Sequence, residues 1–305
     1  MRLYEMEPYA TFLNTLPTLG TRKSYHSPLS FFHIFLNGKS PLEATPDDVL
    51  RYFATRKHRS VSTQALNQAV LISFYRSLVK RRLITTNPAE ILQGMVKTRE
   101  KNPQPLSKEH REALLGSLND SLDNERLLHR ALVVLLGMHE GMRIGEMAQI
   151  RYNNFDFAPG SKTPFGIVKF IGKGSKERTI PLTERVRQAV LRLQRLSAAL
   201  RAAEGQPPDK LVFRSKFAEK PVSQIYLSNL FHEQEAIAQI PLVSVHKLRH
   251  TFGTILAESG ASVYTIRDLM GHSSIAISEH YVKLVPGVAQ DAHLLAFGGM
   301  LLKAV

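Results

Sequence analysis

The feature that most constrains this sequence is a short polar stretch about one third of the way along it. The letters TREKNPQPLS include two prolines, an asparagine and alternating charges, and they offer almost nothing that a core could bury. This composition is typical of a linker, and 305 residues are enough for about two domains. We therefore expect four parts in order: a domain at 1–98, a linker at 99–106, a domain at 107–288 and a tail at 289–305.

The first domain has the apolar spacing of amphipathic helices. Apolar residues recur every three or four positions from Tyr25 to Leu36 and from Thr63 to Val79. Pro46 with two following aspartates is typical of a helix start, and Asn87-Pro88 is typical of a helix end. The pattern predicts a small, all-helical N-terminal domain.

The second domain mixes helical patterns with one β-hairpin. The run from Leu127 to Met138 is apolar on nearly every side, which predicts a centrally buried helix. Two short runs rich in β-branched and apolar residues, 165–171 and 177–182, flank a glycine-bearing turn and predict the hairpin. Further helices are expected at 184–203, at 223–238 and from His246 onward, where Gly260 is expected to end one helix and Gly271 another. The expected fold class is therefore mainly α with a small antiparallel β-sheet, in which a helical domain precedes a mixed α/β domain.

The chain is strongly basic, with 40 Lys and Arg against 26 Asp and Glu and a net charge of +14. Residues 1–98 carry 13 of the basic and 6 of the acidic side chains, so this part is about twice as basic per residue as the rest. A solvated basic surface is one interpretation, but the clustering favours contacts to the phosphates of a polyanion. The candidate phosphate-binding residues are Arg56, Lys57, Arg59, Arg76, Lys80, Arg81 and Arg82.

Composition also excludes several classes of protein. The chain has no cysteine, so disulfide frameworks, thiolate zinc sites and cysteine nucleophiles are excluded. No apolar run approaches the roughly 18 to 20 residues that span a bilayer, and the first residues carry no signal-peptide core. We therefore expect a cytoplasmic chain that does not use a membrane.

A histidine pair in a helical stretch is the first candidate for chemistry. His246 and His250 are four residues apart in HKLRH, a spacing that superficially matches the HExxH zinc motif. The second position is Lys247 rather than the glutamate that a zinc protease needs, and the neighbouring cations would repel a metal ion. His246 and Arg249, three apart on one helix face, instead suit an anion such as phosphate.

The hairpin turn, GKGSK, presents two lysines. It is not a P-loop, because a second strand follows it and the lysine does not follow the last glycine of a GxxxxGK pattern. Lys173 could be an ordinary solvated turn residue, or its ammonium group could reach into a cleft and donate a proton. Lys176 is the alternative candidate for that role.

Two further segments carry polar groups next to apolar helices. Arg143 and Glu146 in GMRIGE are three residues apart directly after the buried helix, so the carboxylate could hold the guanidinium in one orientation. An ordinary surface pair is the alternative. His272 follows Gly271, and Tyr281 lies nine residues later, where it could be a packed aromatic residue or a nucleophile.

These motifs resemble, in order and spacing, those of the tyrosine recombinases, the family of phage integrases and Xer recombinases. The matching positions, in chain order, are Arg143, Lys173, His246, Arg249, His272 and Tyr281. The resemblance covers nearly the whole chain, and its compact length is similar to that of Xer recombinases or simple mobile-element integrases. It implies a helical, SAM-like core-binding domain at 1–98 and a tyrosine recombinase catalytic domain at 107–288.

The resemblance also implies the covalent chemistry. Tyr281 would attack the scissile phosphate and form a 3′-phosphotyrosyl link, which conserves the bond energy needed for rejoining. Lys173 would protonate the leaving 5′-oxygen, and His246 would assist with proton transfer and positioning. Lys173 is preferred to Lys176 because the lysine of the family directly follows the first glycine of the turn.

By the same resemblance, a cationic group would hold the phosphate. Arg143 and Arg249 would clamp its oxygens, His272 would bond a nonbridging oxygen, and Glu146 would orient Arg143. Since these groups stabilise the charge, no metal and no cofactor is expected. The sequence departs from the common pattern between His272 and Tyr281, where the usual threonines are absent and Ser278 is a possible substitute.

The expected partner is double-stranded DNA, bound by a homo-tetramer or by an assembly with a second recombinase. The tail at 289–305 would pack on its own domain or dock on a neighbouring protomer. The alternative functions are a type IB topoisomerase-like nicking and closing enzyme, a telomere resolvase, or a DNA-binding regulator that has lost cleavage. The intact set of six candidate residues argues against the regulator.

Overall fold

A computed structural model describes residues 3–97, 104–119, 123–171, 177–213, 220–272 and 274–285. The chain forms two compact units, Met1–Lys101 and Asn102–Val305. In the described parts of both units, no helix combines the length and the apolar character that crossing a bilayer requires.

The first unit is all-helical, as the sequence predicts. Its helices are α1 (Tyr9–Thr15), α2 (Leu19–Leu36), α3 (Pro46–Thr55) and α4 (Val61–Lys80). Thr18 and Ser60 cap the N-termini of α2 and α4 by accepting backbone hydrogen bonds. The core is aromatic: Phe32, Tyr52 and Phe74 are buried together with leucines of α2 and α4. The apolar spacing therefore predicted the buried faces, although α2 begins six residues before Tyr25.

Asp48 joins three segments of this unit. The start of α3 has a capping box, in which Thr45 and Asp48 accept hydrogen bonds from each other's backbone N–H groups. The carboxylate of Asp48 also pairs with Lys39 and Arg51, in each case at 2.6 Å. The Lys39 ammonium group, followed by the Thr45 backbone N–H, holds the pKa of Asp48 well below its usual range.

The second unit is built around one buried helix. Its helices are α5 (Lys108–Gly116), α6 (Glu125–Met138), α7 (Ile144–Met147), α8 (Glu184–Ala203), α9 (Gln224–Ala238), α10 (His246–Glu258), α11 (Val263–Met270) and α12 (Ile275–Lys283). Residues 131–138 of α6 are all buried, which confirms the prediction of a central helix. Helices α8, α9 and α10 pack around α6.

A small antiparallel sheet completes this unit, with the order β1 (Phe155–Asp156), β2 (Ile167–Ile171) and β3 (Glu177–Pro181). Strands β2 and β3 pair from Ile167↔Pro181 to Ile171↔Glu177, so they form the predicted hairpin. Residues of β3 alternate between exposed and buried, and Arg178 and Ile180 point to the buried side.

The packing of the second unit begins earlier than the sequence suggests. Leu106, which lies in the segment expected to be a linker, is buried in the core of this unit. Its backbone N–H donates to Thr251 Oγ1 of α10 at 2.9 Å. A lone leucine after two prolines gives no periodic signal, so the apolar spacing did not indicate this contact.

A separate small core holds the last helices together. It contains Phe252 and Ala257 of α10, Ile266 and Met270 of α11, and Tyr281 of α12. Tyr281 is a predicted site residue, but no helix was predicted around it. Because α10 and α12 pack against each other, Tyr281 is brought beside the HKLRH segment.

Candidate active site

Arg143 is held by Glu146 at the turn that follows α6. The carboxylate accepts from the backbone N–H of Arg143 at 2.7 Å and from its Nη1 at 2.8 Å. Nη2 of Arg143 donates to the Gly271 carbonyl at 3.3 Å. Gly141 makes the turn possible, because its φ is +58° and a Cβ there would lie 2.3 Å from the Phe252 ring. The guanidinium of Arg143 therefore has a fixed orientation beside the turn at Gly271.

Arg249 of α10 lies behind this turn and is almost fully buried. Its two terminal nitrogens donate to the carbonyls of Gly141 and Met270. Burial, followed by the nearby cations of Arg143 and Arg178, lowers the pKa of Arg249 to about 9. The side chain therefore keeps its charge at neutral pH and links the two turns that carry Arg143 and His272.

Arg178 is a third guanidinium that the sequence analysis did not identify. It donates to the same Met270 carbonyl and, at 2.9 Å, to Oε2 of Glu146. It lies 4.2 Å from the centroid of the Phe170 ring, and burial lowers its pKa to about 10. The alternation of β3 was a usable signal, because it places Arg178 on the same buried face as Ile180.

These three guanidiniums form a cationic cluster, made of Arg143, Arg178 and Arg249. Within the described ranges, Glu146 is the one carboxylate bonded to the cluster, so the local charge is positive. Buried charges are stable only when they are paired or well hydrogen-bonded. Backbone carbonyls satisfy many of the N–H groups here, and the uncompensated charge favours an anion next to Arg143.

Three histidines lie near the cluster, and all three are neutral at pH 7. The ring of His246 meets the ring of His250 edge to face at 4.6 Å. His272 Nδ1 is 2.8 Å from Ser278 Oγ, so Ser278 does contact the histidine that precedes it. Burial and the cation of Arg249 lower the pKa of His246, and the same causes lower that of His272 to about 3.

Tyr281 lies between two of these histidines and is 2% exposed. Its ring stacks on that of His272 at 6.0 Å and 13°, and its hydroxyl is 2.9 Å from Nδ1 of His250. Burial raises the pKa of Tyr281 to about 12, while Arg249 and Arg143 oppose this increase. The phenol is therefore protonated, and it needs a proton acceptor before it can act as a nucleophile.

An open cavity of about 700 Å³ lies beside these groups. Arg143 and Glu146 line it together with His246 and Phe170, and Arg151 and Asn154 lie farther along its wall. The structure thus brings together five of the six candidate catalytic residues in the second unit. Lys173, its rival Lys176 and the tail at 289–305 lie outside the described residues.

No cluster of three or more metal-ligating side chains occurs among the described residues. The expectation of a site without metal stays a prediction, based on the cationic groups that stabilise charge.

The predicted phosphate-binding residues are mostly exposed on the first unit. This is the case for Lys57, Arg59, Arg76, Lys80, Arg81 and Arg82. Arg56 differs, because its guanidinium lies 4.1 Å from the centroid of the Phe31 ring and is partly covered. Arg81 has a weak ion pair with Glu7 at 3.6 Å.

Comparison with known proteins identifies the family of the chain. The phage integrase family matches residues 104–286, and its N-terminal SAM-like domain matches residues 18–85. The chain is 29% identical over 297 residues to tyrosine recombinase XerD of Chlorobaculum tepidum, covering 93% of each protein. It is also 29% identical over 317 residues to tyrosine recombinase XerC of Syntrophus aciditrophicus, covering 97% of this chain and 98% of the relative.

Solved structures share the fold. A XerH site-specific recombinase bound to palindromic difH substrate, in a post-cleavage complex, has a TM-score of 0.69 and 19% identity, covering 90% of this chain and 80% of that one. A lambda integrase (75–356) dimer bound to a COC′ core site has a TM-score of 0.67 and 14% identity, covering 90% and 92%. With its fold and its tyrosine, histidine and arginine site, the chain belongs to the phage integrase family of tyrosine-type site-specific recombinases.

Proposed function

We propose that this chain cuts and rejoins double-stranded DNA at specific sites through a 3′-phosphotyrosyl intermediate on Tyr281. The observation that carries the proposal is the position of the Tyr281 hydroxyl. It lies among histidines in the small core that also contains Met270, whose carbonyl anchors two guanidiniums of the cationic cluster. This arrangement combines a nucleophile, proton-transfer groups and charges that stabilise a phosphate.

In the proposed reaction, Arg143 and His272 contact the scissile phosphate. Arg143 lines the cavity, and its guanidinium donates one N–H to Glu146 and one to the Gly271 carbonyl, which leaves its other N–H groups for phosphate oxygens. His272 pairs through Nδ1 with Ser278, so its Nε2 is the atom available to a nonbridging oxygen. Arg249 adds positive charge from behind the turns, and Glu146 orients Arg143.

Proton transfer completes the reaction. The Tyr281 oxygen forms a bond to phosphorus, and the bond from phosphorus to the 5′-oxygen breaks. We assign the proton for that leaving oxygen to Lys173, with His246 assisting from the wall of the cavity. Because phosphorus keeps the same number of oxygen bonds, the strand can be rejoined without ATP, and no metal or other cofactor is needed.

For the rest of the assembly, we propose two DNA-contacting domains. Residues 1–98 would hold the duplex through the basic side chains of the first unit, and 107–288 would perform the chemistry. Four copies, or copies with a second recombinase, would act on two paired sites in the cytoplasm, for integration, excision or dimer resolution. The tail at 289–305 would dock on a neighbouring copy, and deleting it should then reduce pairing of sites while leaving the domain folded.

The test is capture of the covalent intermediate. A duplex selected from a random pool by binding is given a nick near the cleavage point, so that the cut strand diffuses away and the adduct accumulates. We expect a DNA–protein adduct that survives denaturation and is abolished by Tyr281→Phe. The matched control is Tyr264→Phe, because Tyr264 is an exposed tyrosine of the adjacent helix α11.

Other outcomes would separate the alternatives. If the wild-type protein bound the selected duplex but formed no adduct, a non-cleaving regulator would be favoured. An adduct together with relaxation of supercoils, but no exchange between two sites, would favour a topoisomerase-like enzyme. An adduct that persists in Tyr281→Phe would contradict the proposed nucleophile.

A further inference from the structure

The hydroxyl of Tyr281 has a hydrogen-bond partner that the family resemblance did not assign. This partner is His250, the residue after Arg249, and the atoms involved are Nδ1 of His250 and Oη of Tyr281 at 2.9 Å. We propose that His250 is a catalytic residue, which takes the proton of Tyr281 as the tyrosine attacks the scissile phosphorus. The inference rests on the proposed function and adds the group that activates the nucleophile.

The geometry fixes the two rings relative to each other. Within the described part of the chain, His250 is the one residue that hydrogen-bonds to the Tyr281 hydroxyl. The centroids of the His250 and Tyr281 rings are 6.1 Å apart, and the ring of His272 stacks on the Tyr281 ring. Gly253, one turn after His250 on α10, leaves space for the tyrosine ring, because a Cβ there would lie 2.6 Å from Cε1 of Tyr281. A nucleophile and base within hydrogen-bond reach are the signature of an activated nucleophile.

The protonation states suit a transfer from tyrosine to histidine. Burial, followed by the charges of His246 and Arg249, lowers the pKa of His250 to about 4, so its ring is neutral at pH 7. Tyr281 is protonated at that pH, since its pKa is about 12. In this proposal His250 carries its hydrogen on Nε2, so that the phenol donates its one hydrogen to Nδ1 of the neutral imidazole. Attack on phosphorus makes the tyrosine oxygen far more acidic, which drives the transfer at that moment.

His246 is in a different position. It lies one turn before His250 on α10, where its ring contacts the edge of the His250 ring and lines the cavity with Arg143. A phosphate next to Arg143 would therefore be within reach of His246, while His250 faces the nucleophile. The two histidines of HKLRH thus divide the work that the sequence assigned to His246 alone.

In the proposed cleavage step, one proton leaves the tyrosine and one is added to the 5′-oxygen. The O–H bond of Tyr281 breaks, and its proton moves to Nδ1 of His250. The freed electron pair on oxygen forms the bond to phosphorus, while the pair of the breaking P–O bond leaves on the 5′-oxygen, which takes a proton from the group opposite the nucleophile. In rejoining, the 5′-hydroxyl gives its proton back to Lys173 and its oxygen bonds to phosphorus, while the bond from phosphorus to the Tyr281 oxygen breaks and His250 returns its proton to that oxygen.

The test compares His250→Ala and His250→Asn with the wild-type protein in single-turnover adduct formation on the nicked duplex. Asparagine retains an acceptor near the position of Nδ1 but is too weak a base to take a proton. We expect both variants to bind the duplex with wild-type affinity and to form the adduct about 10²- to 10⁴-fold more slowly, the usual contribution of a general base. The control is His110→Ala, since His110 is a half-buried histidine of α5, and its rate should be unchanged.

A second substrate separates the nucleophile from the leaving group. When sulfur replaces the bridging 5′-oxygen, the leaving group no longer needs a proton. This substrate should restore cleavage in Lys173→Ala but not in His250→Asn. Rescue of His250→Asn by sulfur would overturn the proposal, because His250 would then serve the leaving group. A wild-type rate in His250→Asn would also overturn it, since only the hydrogen bond would matter.

The failure of the proposed function would look different. In that case the wild-type protein itself would form no adduct on either substrate. A normal wild-type adduct with fast His250 variants refutes only the assignment of His250.

Discussion

Glu140 is a buried carboxyl group beside the active-site turn, and we predict that it makes folding stability fall as pH rises. Its side chain is 0% exposed and directly precedes Gly141. Oε1 accepts a long hydrogen bond of 3.4 Å from the backbone N–H of Thr183. Oε2 has no hydrogen-bond partner among the described residues. Burial raises the pKa of Glu140 from 4.5 to about 8, and the Thr183 N–H opposes this only in part.

The sign of the effect follows from proton binding. Between pH 4.5 and pH 8 the folded chain keeps the Glu140 proton, whereas the unfolded chain has released it. The folded state therefore binds more protons, and the free energy of unfolding decreases as pH rises through this window. The slope is about 1.4 kcal/mol per pH unit, so the loss from pH 5.5 to pH 7.5 is about 2–3 kcal/mol. This is a large part of the 5–15 kcal/mol that typically stabilises a protein.

Glu140→Gln removes the titration and keeps the shape. The new amide N–H₂ replaces an unpartnered oxygen, and leaving it unpaired costs about 1–3 kcal/mol at every pH. The difference in stability between variant and wild type should therefore shift by about 2–3 kcal/mol in favour of the variant from pH 5.5 to pH 7.5. The pH-dependent shift, rather than the stability at one pH, is the predicted quantity.

Urea unfolding at pH 5.5 and pH 7.5 measures this shift. The unfolding transition of the second unit is the one to follow, because Glu140 lies in that unit. Glu112→Gln is the control, because Glu112 is an exposed glutamate of α5, and its difference from wild type should be the same at both pH values. If Glu140→Gln also gave the same difference at both pH values, Glu140 would ionise equally in the folded and unfolded chains. Burial would then not raise the pKa of Glu140 in the folded chain.

Three further predictions concern the buried arginine, the Asp48 network and DNA binding. Arg178→Met should lower the free energy of unfolding, measured in urea, by about 3–5 kcal/mol, because it leaves Glu146 with one guanidinium fewer. The control Lys169→Met changes an exposed side chain and should lower the free energy of unfolding by less than about 0.5 kcal/mol. Equal losses in the two variants would contradict this prediction. Asp48→Asn should destabilise the first unit by about 1–3 kcal/mol at pH 7. Because the pKa of Asp48 is lowered in the folded chain, this loss of stability should become smaller in thermal unfolding experiments at increasingly acidic pH. The control Asp47→Asn changes an exposed carboxylate and should have little effect on stability. The double variant Arg76→Ala, Lys80→Ala should reduce the slope of log affinity against log salt concentration by about 1.8, because two phosphate contacts are lost. Its cleavage rate on bound DNA should be unchanged. An unchanged slope would show that these two side chains of α4 make no phosphate contact.

Much of the fold could be predicted from the sequence, because the main signals are local. Residues 131–138 of α6 are apolar on every side, and the sequence of the β2–β3 hairpin has a glycine turn between two β-branched runs. Helices α1 and α12 were not predicted. They are short, and they are stabilised by the small cores into which Phe12 and Tyr281 pack, which is a tertiary effect that periodicity does not report.

The site could be predicted only as far as its motifs extend. Arg143, His246 and Tyr281 stand in recognisable patterns, but contacts across the fold have no pattern along the chain. Arg178 comes from a strand and shares the Met270 carbonyl with Arg249, more than 70 residues away in sequence. His250 was considered only as a metal ligand, and its role depends on α12 packing against α10.

The protonation states of the site suit the proposed mechanism, in which the nucleophile is activated only when a phosphate is bound. Without a phosphate, burial and, after it, the nearby charges that include Arg249 lower the pKa of His272 and His250 and keep both rings neutral, and burial keeps Tyr281 protonated. A neutral imidazole still has one donor and one acceptor. When Ser278 donates to Nδ1 of His272, the ring carries its hydrogen on Nε2 and can donate to a phosphate oxygen. When Tyr281 donates to Nδ1 of His250, the same tautomer leaves that ring ready to accept a proton. In the proposed mechanism, the arginines thus supply the charge, the histidines act as neutral rings, and the tyrosine becomes reactive only when phosphorus is there to receive it.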